Sequence, residues 1–450
     1  MKPALAAEGS SSSEIKAYEQ RRERLIHELE AARASGVSVG LAKTTSNLFR
    51  HRVQQSTKRI DVRPFHHVLH VDAGSRAADV EGMTTYEELA DETLKFGLLP
   101  TVVPQLKTIT IGGAVSGIGI ESSSFKYGLV HETIDEMEVL LGDGSTILCS
   151  ATQNPDLFCG FPNSYGTLGY VLRLTVKLIP AKKYVKLTHT RFTEPDKFFA
   201  QIEALCSSSR FDYIDGVVFD RGEMYITAGE FTDDAPFVSD YTYMKVFYQS
   251  IRRREVDYLT AKDYIWRWDT DWFWCSKHFY VQHAPVRLLA TKWLLNSKTY
   301  QRIMRLAHKV LPESATESVI QDVDIPIEHT VEFLEFLLRE IGVLPIWICP
   351  FRSYNPSVTY DLYALEPGKL YINFGFWDTV PSTQPEGHYN KKIEAKALAL
   401  QGKKGLYSTA YYDEETFWQI YNRPAYEALK AKYDPGRCFK DLYEKTVKKM

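Results

Sequence analysis

Apolar and polar positions change their pattern near residue 36 and again near residue 180. Residues 14–35 are rich in helix formers with charges of both signs. Ser11 and Glu14 have capping-box spacing, so one helix is predicted after a polar serine tract. From residue 37 to residue 180, short β-branched and apolar runs are broken by glycines, which is typical of strands joined by turns. Strands and helices mix from there to about residue 400. We therefore predict four regions, 1–36, 37–180, 181–400 and 401–450.

Individual elements are clearest in the second region. Strands are predicted at residues 37–40, 68–72 and 136–141, and Gly142-Asp143-Gly144 follows the last of them as a hairpin turn signal. A helix is predicted over residues 85–96, with Thr84 or Thr85 as its N-cap. The last region predicts a tyrosine-rich strand and then a helix around residues 414–433. This mixture indicates an α+β fold rather than a regular βαβ series.

Composition and charge exclude several classes of protein. A chain of 450 residues with 44% hydrophobic and 25% charged residues is expected to fold into two or more domains. A net charge of -3 gives no field for nucleic acid. The six cysteines are scattered and no secretory signal is visible, so we expect a cytoplasmic protein with reduced thiols. The most apolar stretch, residues 333–351, is interrupted by charges and a proline, so any membrane contact would be peripheral. In residues 21–24, acidic and basic side chains alternate, which favours a packing helix over a membrane-contact helix.

Residues 108–128 carry the most informative motif, which we call the glycine ribbon. Gly112, Gly113, Gly117 and Gly119 alternate with small residues, and three serines follow at 122–124. Main-chain amides can approach an anion closely where no Cβ intervenes, so the segment suits a pyrophosphate. Neither G-x-G-x-x-G nor G-x-x-x-x-G-K-[ST] occurs here, which argues against Rossmann and P-loop sites. A glycine-rich turn in a tight sheet is the structural alternative.

Long motifs within and beyond this ribbon resemble one family. Residues 104–144 resemble the FAD domain of the vanillyl-alcohol oxidase type. A more detailed resemblance is to the Diminuto-type branch, the Delta(24)-sterol reductases. It is carried by Leu-Pro-Thr-Val-Val-Pro at 99–104, Gly-Ile-Gly-Ile-Glu-Ser-Ser-Ser at 117–124 and Lys-Tyr-Gly-Leu at 126–129. It continues at residues 154–158, 166–169, 179–187, 345–351, 407–418 and 439–443.

The resemblance implies a two-subdomain FAD-binding fold over residues 37–180, a substrate domain over 181–400, and a C-terminal segment that returns to the flavin domain. It also implies which residues bind FAD, in three stretches. The first phosphate loop is Lys43, Thr44, Thr45, Ser46 and Asn47. The second stretch is the ribbon with the preceding Pro104, and its residues are Pro104, Thr110, Ile111, Gly112, Gly113, Ala114, Val115, Ser116, Gly117, Ile118, Gly119, Ile120, Glu121, Ser122, Ser123 and Tyr127. The third stretch is Gly166, Gly169 and Val171. The Gly-Gly-His pattern of covalent flavin attachment is missing near His51, so we expect non-covalent FAD.

The resemblance implies NADPH-driven reduction of a carbon–carbon double bond in a lipid, either a sterol side chain or an unsaturated or methylene-branched fatty acyl chain. This reaction needs a hydride from flavin N5 and a proton from an O–H or N–H group. Tyr407, Tyr411 and Tyr412 are candidate donors, and we select Tyr411. Four tryptophans in residues 264–274, among them Trp266, Trp268 and Trp272, are candidates for the substrate wall, although a core hairpin or helix would show the same pattern.

Alternative interpretations remain open at this point. An FAD-dependent alcohol or sugar oxidase, or dehydrogenase, would use the same scaffold. The resemblance implies a lysine in this segment of such enzymes, whereas this chain has Ser408, Thr409 and Ala410. A lipid-binding protein on a degenerate flavin fold is a third interpretation. Arg267 could place positive charge near the flavin, but we expect a salt bridge to Asp269 or Asp271 instead. His66, His67 and His70 lack matching carboxylate spacing, and we predict no metal.

Overall fold

The computed structural model describes residues 12–36, 38–44, 50, 58–290, 295, 299 and 316–449. Helices and strands alternate irregularly along these residues, which confirms the α+β class. The helices are α1 (Ser12–Arg33), α2 (Tyr86–Thr93), α3 (Ile111–Ser116), α4 (Ser124–Tyr127), α5 (Pro155–Gly160), α6 (Pro195–Cys206), α7 (Phe247–Ser250), α8 (Ala261–Ile265), α9 (Ala284–Leu289), α10 (Thr330–Phe336), α11 (His388–Ala399), α12 (Glu414–Ile420), α13 (Arg423–Tyr433) and α14 (Leu442–Thr446). None of the helices within the described ranges is both long and apolar enough to cross a bilayer.

Helix α1 is held by buried contacts, as predicted for a packing helix. Tyr18, Leu25 and Leu29 are buried against the first domain. Arg21 donates to Glu81 at 2.5 Å and Arg22 to Glu138 at 2.9 Å, so these two arginines bind carboxylates of the sheet beneath the helix. Ser11, the predicted first residue of a capping box, lies outside the described residues.

The first domain contains a parallel pair and a six-stranded sheet. Strands β1 (Val39–Ala42) and β2 (Lys58–Asp61) form the pair. The larger sheet has the order β3-β4-β8-β6-β7, with β5 added on β8. Its strands are β3 (Val68–Asp72), β4 (Ala77–Glu81), β5 (Leu98–Pro100), β6 (Ile134–Leu140), β7 (Thr146–Ser150) and β8 (Tyr170–Pro180). The predicted strand at 68–72, the hairpin at 142–144 and helix α2 are confirmed. Thr85 is the N-cap of α2, and it forms a capping box with Glu88.

The second domain is built on an eight-stranded sheet of order β12-β9-β11-β10-β14-β15-β13-β16. Its strands are β9 (Tyr184–Phe192), β10 (Tyr213–Asp220), β11 (Glu223–Thr232), β12 (Val256–Thr260), β13 (Thr316–Pro326), β14 (Ile346–Phe351), β15 (Tyr371–Pro381) and β16 (Lys403–Lys404). One face packs on α6, α10 and α11 through side chains such as Phe199, Phe333 and Ile393. The other face shares its core with the first domain, where Trp347 and Val115 belong to one buried cluster. The site described next lies against this second face.

The C-terminal region departs from the predicted pattern. The tyrosine-rich segment at 407–412 is not a strand, since β16 pairs with β13 only over Lys403–Lys404. The amide of Tyr411 instead donates to the Glu394 carboxylate at 3.0 Å, so a side chain replaces the ladder partner that a strand would need. Helices α12 and α13 follow, close to the predicted helix at 414–433. Lys445 donates to the Tyr165 carbonyl at 2.6 Å and joins this region to the first domain.

Candidate flavin site

The glycines of the ribbon serve close packing of main chain against protein. Helix α3 is capped by Thr110, whose hydroxyl accepts from the amide of Gly113 at 3.3 Å. A Cβ on Gly112 would lie 2.7 Å from the Gly82 carbonyl oxygen, and one on Gly119 would lie 2.6 Å from a methyl of Val130. The missing Cβ of these two glycines therefore serves packing. Their place beside the cofactor stays a prediction.

The opposite side of the ribbon is open, and it fits a dinucleotide. Gly113 is exposed and residues 116–120 are half-buried, while residues 121–125 are buried again. The amides of Ile118 and Ile120 find no acceptor within the described parts of the chain, so two donors remain for a ligand. Buried polar atoms in the flanking segments also lack a described partner, namely Thr101 Oγ1, Gln105 Nε2 and Glu121 Oε2. Free amides and unpaired polar atoms beside an open strip are what the phosphates and edges of FAD require.

The other cofactor residues predicted from the sequence are distributed around this strip. Lys43 and Thr44 are exposed at the end of β1, and Thr45, Ser46 and Asn47 lie outside the described residues. Gly166 and Gly169 are buried, and a Cβ on Gly169 would lie 2.6 Å from Val139, which again indicates packing. The remaining predicted residues near the strip are Pro104, buried beside Gln105, Tyr127, half-buried at the end of α4, and Val171, half-buried in β8.

Tyr165 completes the edge of the strip, although the sequence did not single it out. Its hydroxyl donates to the Gly117 carbonyl at 2.9 Å, and its amide donates to the Ser116 carbonyl at 2.9 Å. The ring is half-buried between buried neighbours, and the Arg50 guanidinium stands 5.3 Å from its centroid. Tyr165 thus joins the ribbon to the region where the second domain begins to cover it.

A buried polar cluster on the second domain contains Tyr407. The Trp377 indole N–H donates to the Tyr407 hydroxyl at 2.9 Å, and that hydroxyl is also hydrogen-bonded to the Asp322 carboxyl. Asp322 lies on β13 opposite Gly375 of β15, where no side chain stands beside it across the strands. Asp322 and Tyr407 are each half-buried although their chain neighbours are buried, so some of their surface stays accessible. Tyr407 is a predicted catalytic residue. Asp322 and Trp377 are not among the residues predicted from the sequence.

A second carboxyl extends this cluster. Asp324 follows on the same face of β13, and it accepts from the Tyr363 hydroxyl and, at 2.7 Å, from the Asn373 amide. Burial and the neighbouring Asp324 raise the pKa of Asp322 to about 8, and burial raises the pKa of Asp324 to about 6. Burial likewise keeps the pKa of Tyr407 well above its usual value, with the Asp322 charge adding to the effect. Around neutral pH Asp322 and Tyr407 therefore keep their protons.

Tyr411, the donor selected from the sequence, lies elsewhere. Its ring occupies the space beside Gly387 at the start of α11, and the Lys449 ammonium stands 5.8 Å from the ring centroid. Burial and the charges of Glu386, Glu317 and Glu394 raise its pKa. These neighbours belong to the outer edge of the second domain, so the structure does not bring Tyr411 together with the ribbon. Tyr412 is buried and its carbonyl accepts from Tyr443 at 3.3 Å.

The tryptophan cluster of residues 264–274 is a packed core that reaches the site at one end. Trp266, Trp268 and Trp272 are buried. The Trp268 ring packs edge-on against Phe247 and Trp274 at 5.2 and 5.9 Å. Phe273 then contacts Trp377 at 4.9 Å, and Trp377 donates to Tyr407. The apolar surface next to the catalytic candidate is thus continuous with the cluster, and Trp377 is its nearest indole.

Arg267 forms a different ion pair from the predicted one. Its guanidinium, wholly buried, donates at 2.7 Å to both Glu121 and Asp215. Asp271, one of the predicted partners, pairs instead with Arg287 at 2.6 Å. Tyr264, Glu121 and Asp215 together outweigh the effect of burial and raise the pKa of Arg267 further. The predicted partners were chosen because they are close to Arg267 in sequence. The observed partners of Arg267 are 146 and 52 residues away along the chain.

The histidines considered for a metal have ordinary partners. His67 Nδ1 lies 2.6 Å from Glu81, and His66 Nδ1 lies 3.5 Å from Glu88. Within the described ranges, no three metal-ligating side chains come together.

Comparisons with known proteins agree with this geometry. Residues 18–150, which include the ribbon, match the model of an FAD binding domain. The Delta(24)-sterol reductase of Homo sapiens is 27% identical over 402 residues, covering 85% of this chain and 76% of that protein. The Arabidopsis thaliana Delta(24)-sterol reductase is 24% identical, covering 93% of this chain and 80% of its own length. Cytokinin dehydrogenase 9 of Oryza sativa subsp. japonica is 33% identical over only 31% of this chain and 27% of its own. These similarities confirm the predicted resemblance: the chain is an FAD-linked oxidoreductase similar along most of its length to Delta(24)-sterol reductases.

Proposed function

We propose that this protein reduces a carbon–carbon double bond in a lipid, with FAD bound non-covalently along the ribbon and NADPH as the electron donor. The observation that carries the proposal is the position of Tyr407, a neutral phenol held between the Trp377 indole and the Asp322 carboxyl where the second domain meets the ribbon. The names of the similar proteins, Delta(24)-sterol reductases, support a sterol side chain as the substrate. An unsaturated or methylene-branched fatty acyl chain has the same chemistry.

FAD, when bound, supplies the hydride for one carbon of the double bond. The other carbon needs a proton, and Tyr407 gives the proton of its hydroxyl. Asp322 then returns a proton to the Tyr407 oxygen through the hydrogen bond that already joins them. The Trp377 N–H fixes the orientation of the phenol and stabilises the negative charge that develops on its oxygen. Near neutral pH Asp322 and Tyr407 both carry a proton, so each of the two transfers starts from a protonated donor.

The apolar surroundings position the substrate for these steps. Trp377, Phe273 and Trp347 form a continuous aromatic surface beside Tyr407, with ring centroids 4.9 to 5.6 Å apart. Such a surface excludes water and holds a hydrocarbon chain or ring by burial of apolar area, with no need for a charged contact. Trp266, Trp268 and Trp272 are buried in the same cluster, and the Trp268 ring packs against Phe273. We assign them to the packing of this surface.

The test uses purified protein under nitrogen. NADPH should bleach the flavin absorption, and a lipid alkene should restore it, with the saturated lipid as the product detected by mass spectrometry. Acid precipitation should release the flavin into the supernatant, since the link is not covalent. Two results would instead support an alcohol or sugar oxidase. In one, NADPH never reduces the flavin; in the other, only oxygen restores the colour, and peroxide forms when alcohols or sugars are added.

A further inference from the structure

Helix α9 is oriented with its charged residue inward and its apolar residues outward. Arg287 is wholly buried, whereas Leu288 and Leu289 are 64% and 80% exposed and Val286 is also exposed. In water, a short surface helix normally does the reverse, because exposed leucines forgo burial and a buried guanidinium loses hydration. The arrangement is stable only where the outer side of the helix is not water, or where other contacts enforce it.

A dense set of bonds enforces this inverted orientation. The Arg287 guanidinium pairs with Asp271 at 2.6 and 3.1 Å, and it also donates to the carbonyls of Tyr243 and Lys245. The Tyr243 hydroxyl donates back to the Leu288 carbonyl at 3.0 Å. The leucines therefore point outward because the arginine is fixed inward. Removing a buried partner of such a pair is strongly unfavourable, so the helix cannot easily turn over.

Neighbouring residues extend the apolar face and give it the composition of a membrane interface. Met244, between two carbonyls that Arg287 binds, is exposed, and Tyr280 is 69% exposed beside His283. Lys245 is exposed at the rim. Surfaces that lie on bilayers combine these residue types. Leucine and methionine suit the acyl chains, the tyrosine hydroxyl suits the interface, and lysine suits anionic headgroups.

A chain of packed residues joins the inner side of α9 to the interior aromatic surface. Gln282, next to α9, donates to Ser276 at 2.8 Å, and Ser276 donates to Asp271 at 2.9 Å. Tyr248 donates to Gln282 at 2.7 Å and packs on Trp274, which contacts Phe273 at 4.2 Å. Phe273 reaches Trp377 beside Tyr407. We propose that the outward face of α9, with Met244 and Tyr280, docks on a lipid bilayer, from which the enzyme takes its lipid substrate.

Vesicle flotation tests the docking itself without any substrate. The full chain, with FAD, should float with phosphatidylcholine vesicles, more strongly when phosphatidylserine is included. Leu289→Glu should weaken partitioning about tenfold, because a leucine side chain that would enter the bilayer is replaced by a charge. The matched control is Leu398→Glu, an exposed leucine of α11 that is 43% accessible and lies outside this face, and it should partition like the wild type. Leu288→Glu provides a second variant if Leu289→Glu folds poorly.

Three results would overturn the docking proposal. They are failure of the wild type to bind vesicles, equal binding by Leu289→Glu, and a lower melting temperature of Leu289→Glu but not Leu398→Glu in lipid-free buffer. The last result would mean that protein covers the face, either this chain or a second copy, and sedimentation velocity would tell the two apart.

The delivery of substrate rests on the proposed function and has its own readout. Reduction of an alkene lipid carried in vesicles should fall about tenfold in Leu289→Glu, whereas the same lipid carried in cyclodextrin should be reduced at the wild-type rate. Bleaching of the flavin by NADPH should not change. If neither the wild type nor Leu289→Glu reduces the alkene while the wild type still binds vesicles, the result would count against the proposed function alone. Equal loss in vesicles and cyclodextrin would overturn the delivery role.

Discussion

Two buried acidic clusters lie on the same face of the eight-stranded sheet, and they differ in how their charge is balanced. In the first, Arg267 donates to both Glu121 and Asp215 at 2.7 Å. In the second, Asp322 and Asp324 receive hydrogen bonds from neutral groups, and no cation within the described residues forms an ion pair with either. Lys403 is nearby, but its ammonium donates to the Ala364 carbonyl. One cluster is charged and compensated. The other stores protons.

The difference separates structure from chemistry. A guanidinium between two carboxylates fixes geometry, since one rigid, permanently charged group donates to both of them. The Arg267 cluster joins the ribbon, through Glu121, to the second domain, through Asp215. An uncompensated carboxyl in the same environment gains affinity for a proton instead. Tyr407 is hydrogen-bonded to that carboxyl, so the second cluster is where proton transfer is expected.

The largest effect on stability is expected from Arg267→Met. Two buried carboxylates would lose their shared cation, and breaking a buried pair in this way costs about 3 to 5 kcal/mol. Urea denaturation measures the loss. Arg210→Met, which removes an exposed pair with Glu230, should leave the unfolding midpoint close to the wild-type value. Equal midpoints for the two variants would show that the Arg267 cluster is not ionised as described.

The largest effect on rate is expected from Tyr407→Phe. Removing a positioned general acid lowers the rate by roughly a hundredfold or more. Stopped-flow reoxidation of the reduced flavin by a lipid alkene should show this loss, while reduction by NADPH proceeds normally. The variant keeps the ring, so flavin content should be unchanged. A rate within about threefold of the wild type would remove Tyr407 from the proton step.

Asp322→Asn should change the pH dependence of the reaction. With a pKa of about 8, the Asp322 carboxyl loses its proton as the pH rises through 8, and reoxidation by alkene should fall there. The variant should be slower and lack this fall. Lys403 faces the same cluster, and burial lowers its pKa to about 8, so Lys403→Gln is the necessary control and should retain the fall. A fall that disappears in Lys403→Gln but persists in Asp322→Asn would assign it to the lysine.

The same carboxyl should affect stability in the opposite sense from an ordinary salt-bridged aspartate. The folded-state pKa of Asp322 is raised from 3.8 to about 8, so between these values the folded protein binds a proton that the unfolded chain does not. The free energy of unfolding therefore decreases as the pH rises from about 4 to about 8. In Asp322→Asn this part of the slope should vanish, which chemical denaturation at several pH values would detect.

The sequence predicts local elements well where their chemistry is local. Thr85 and Glu88 stand three residues apart, and their capping box starts α2 where expected. The ribbon is recognisable because small residues and serines are concentrated in one run. The open strip on one side of this run could not be foreseen, since Gly112 and Gly119 pack against Gly82 and Val130, which sequence order does not place beside them.

The proton-storing cluster had almost no signal in the sequence. Asp322 and Asp324 are alternate residues of an ordinary-looking strand, and their meaning comes from a neighbouring strand and from Tyr407, 85 residues or so away. The tyrosine segment was predicted as a strand from its β-forming residues, but the Glu394 carboxylate takes the Tyr411 amide and a loop results. In both cases a tertiary contact outweighs local preference.

The smallest effect is expected from Tyr411→Phe. Comparing this variant with Tyr407→Phe tells which of the two tyrosines donates the proton. The Tyr411 ring lies against Gly387 and near Lys449, on the outer edge of the second domain, and its hydroxyl is not joined to either acidic cluster in the described structure. Removing that hydroxyl should therefore change alkene-dependent reoxidation by less than about twofold, against the hundredfold loss expected for Tyr407→Phe. Both variants delete one oxygen from a half-buried phenol, so they are matched in size and differ in place. If Tyr411→Phe were the slower of the two, proton transfer would occur at the edge of the domain, and the uncompensated carboxyls would have a structural role like that of the Arg267 cluster.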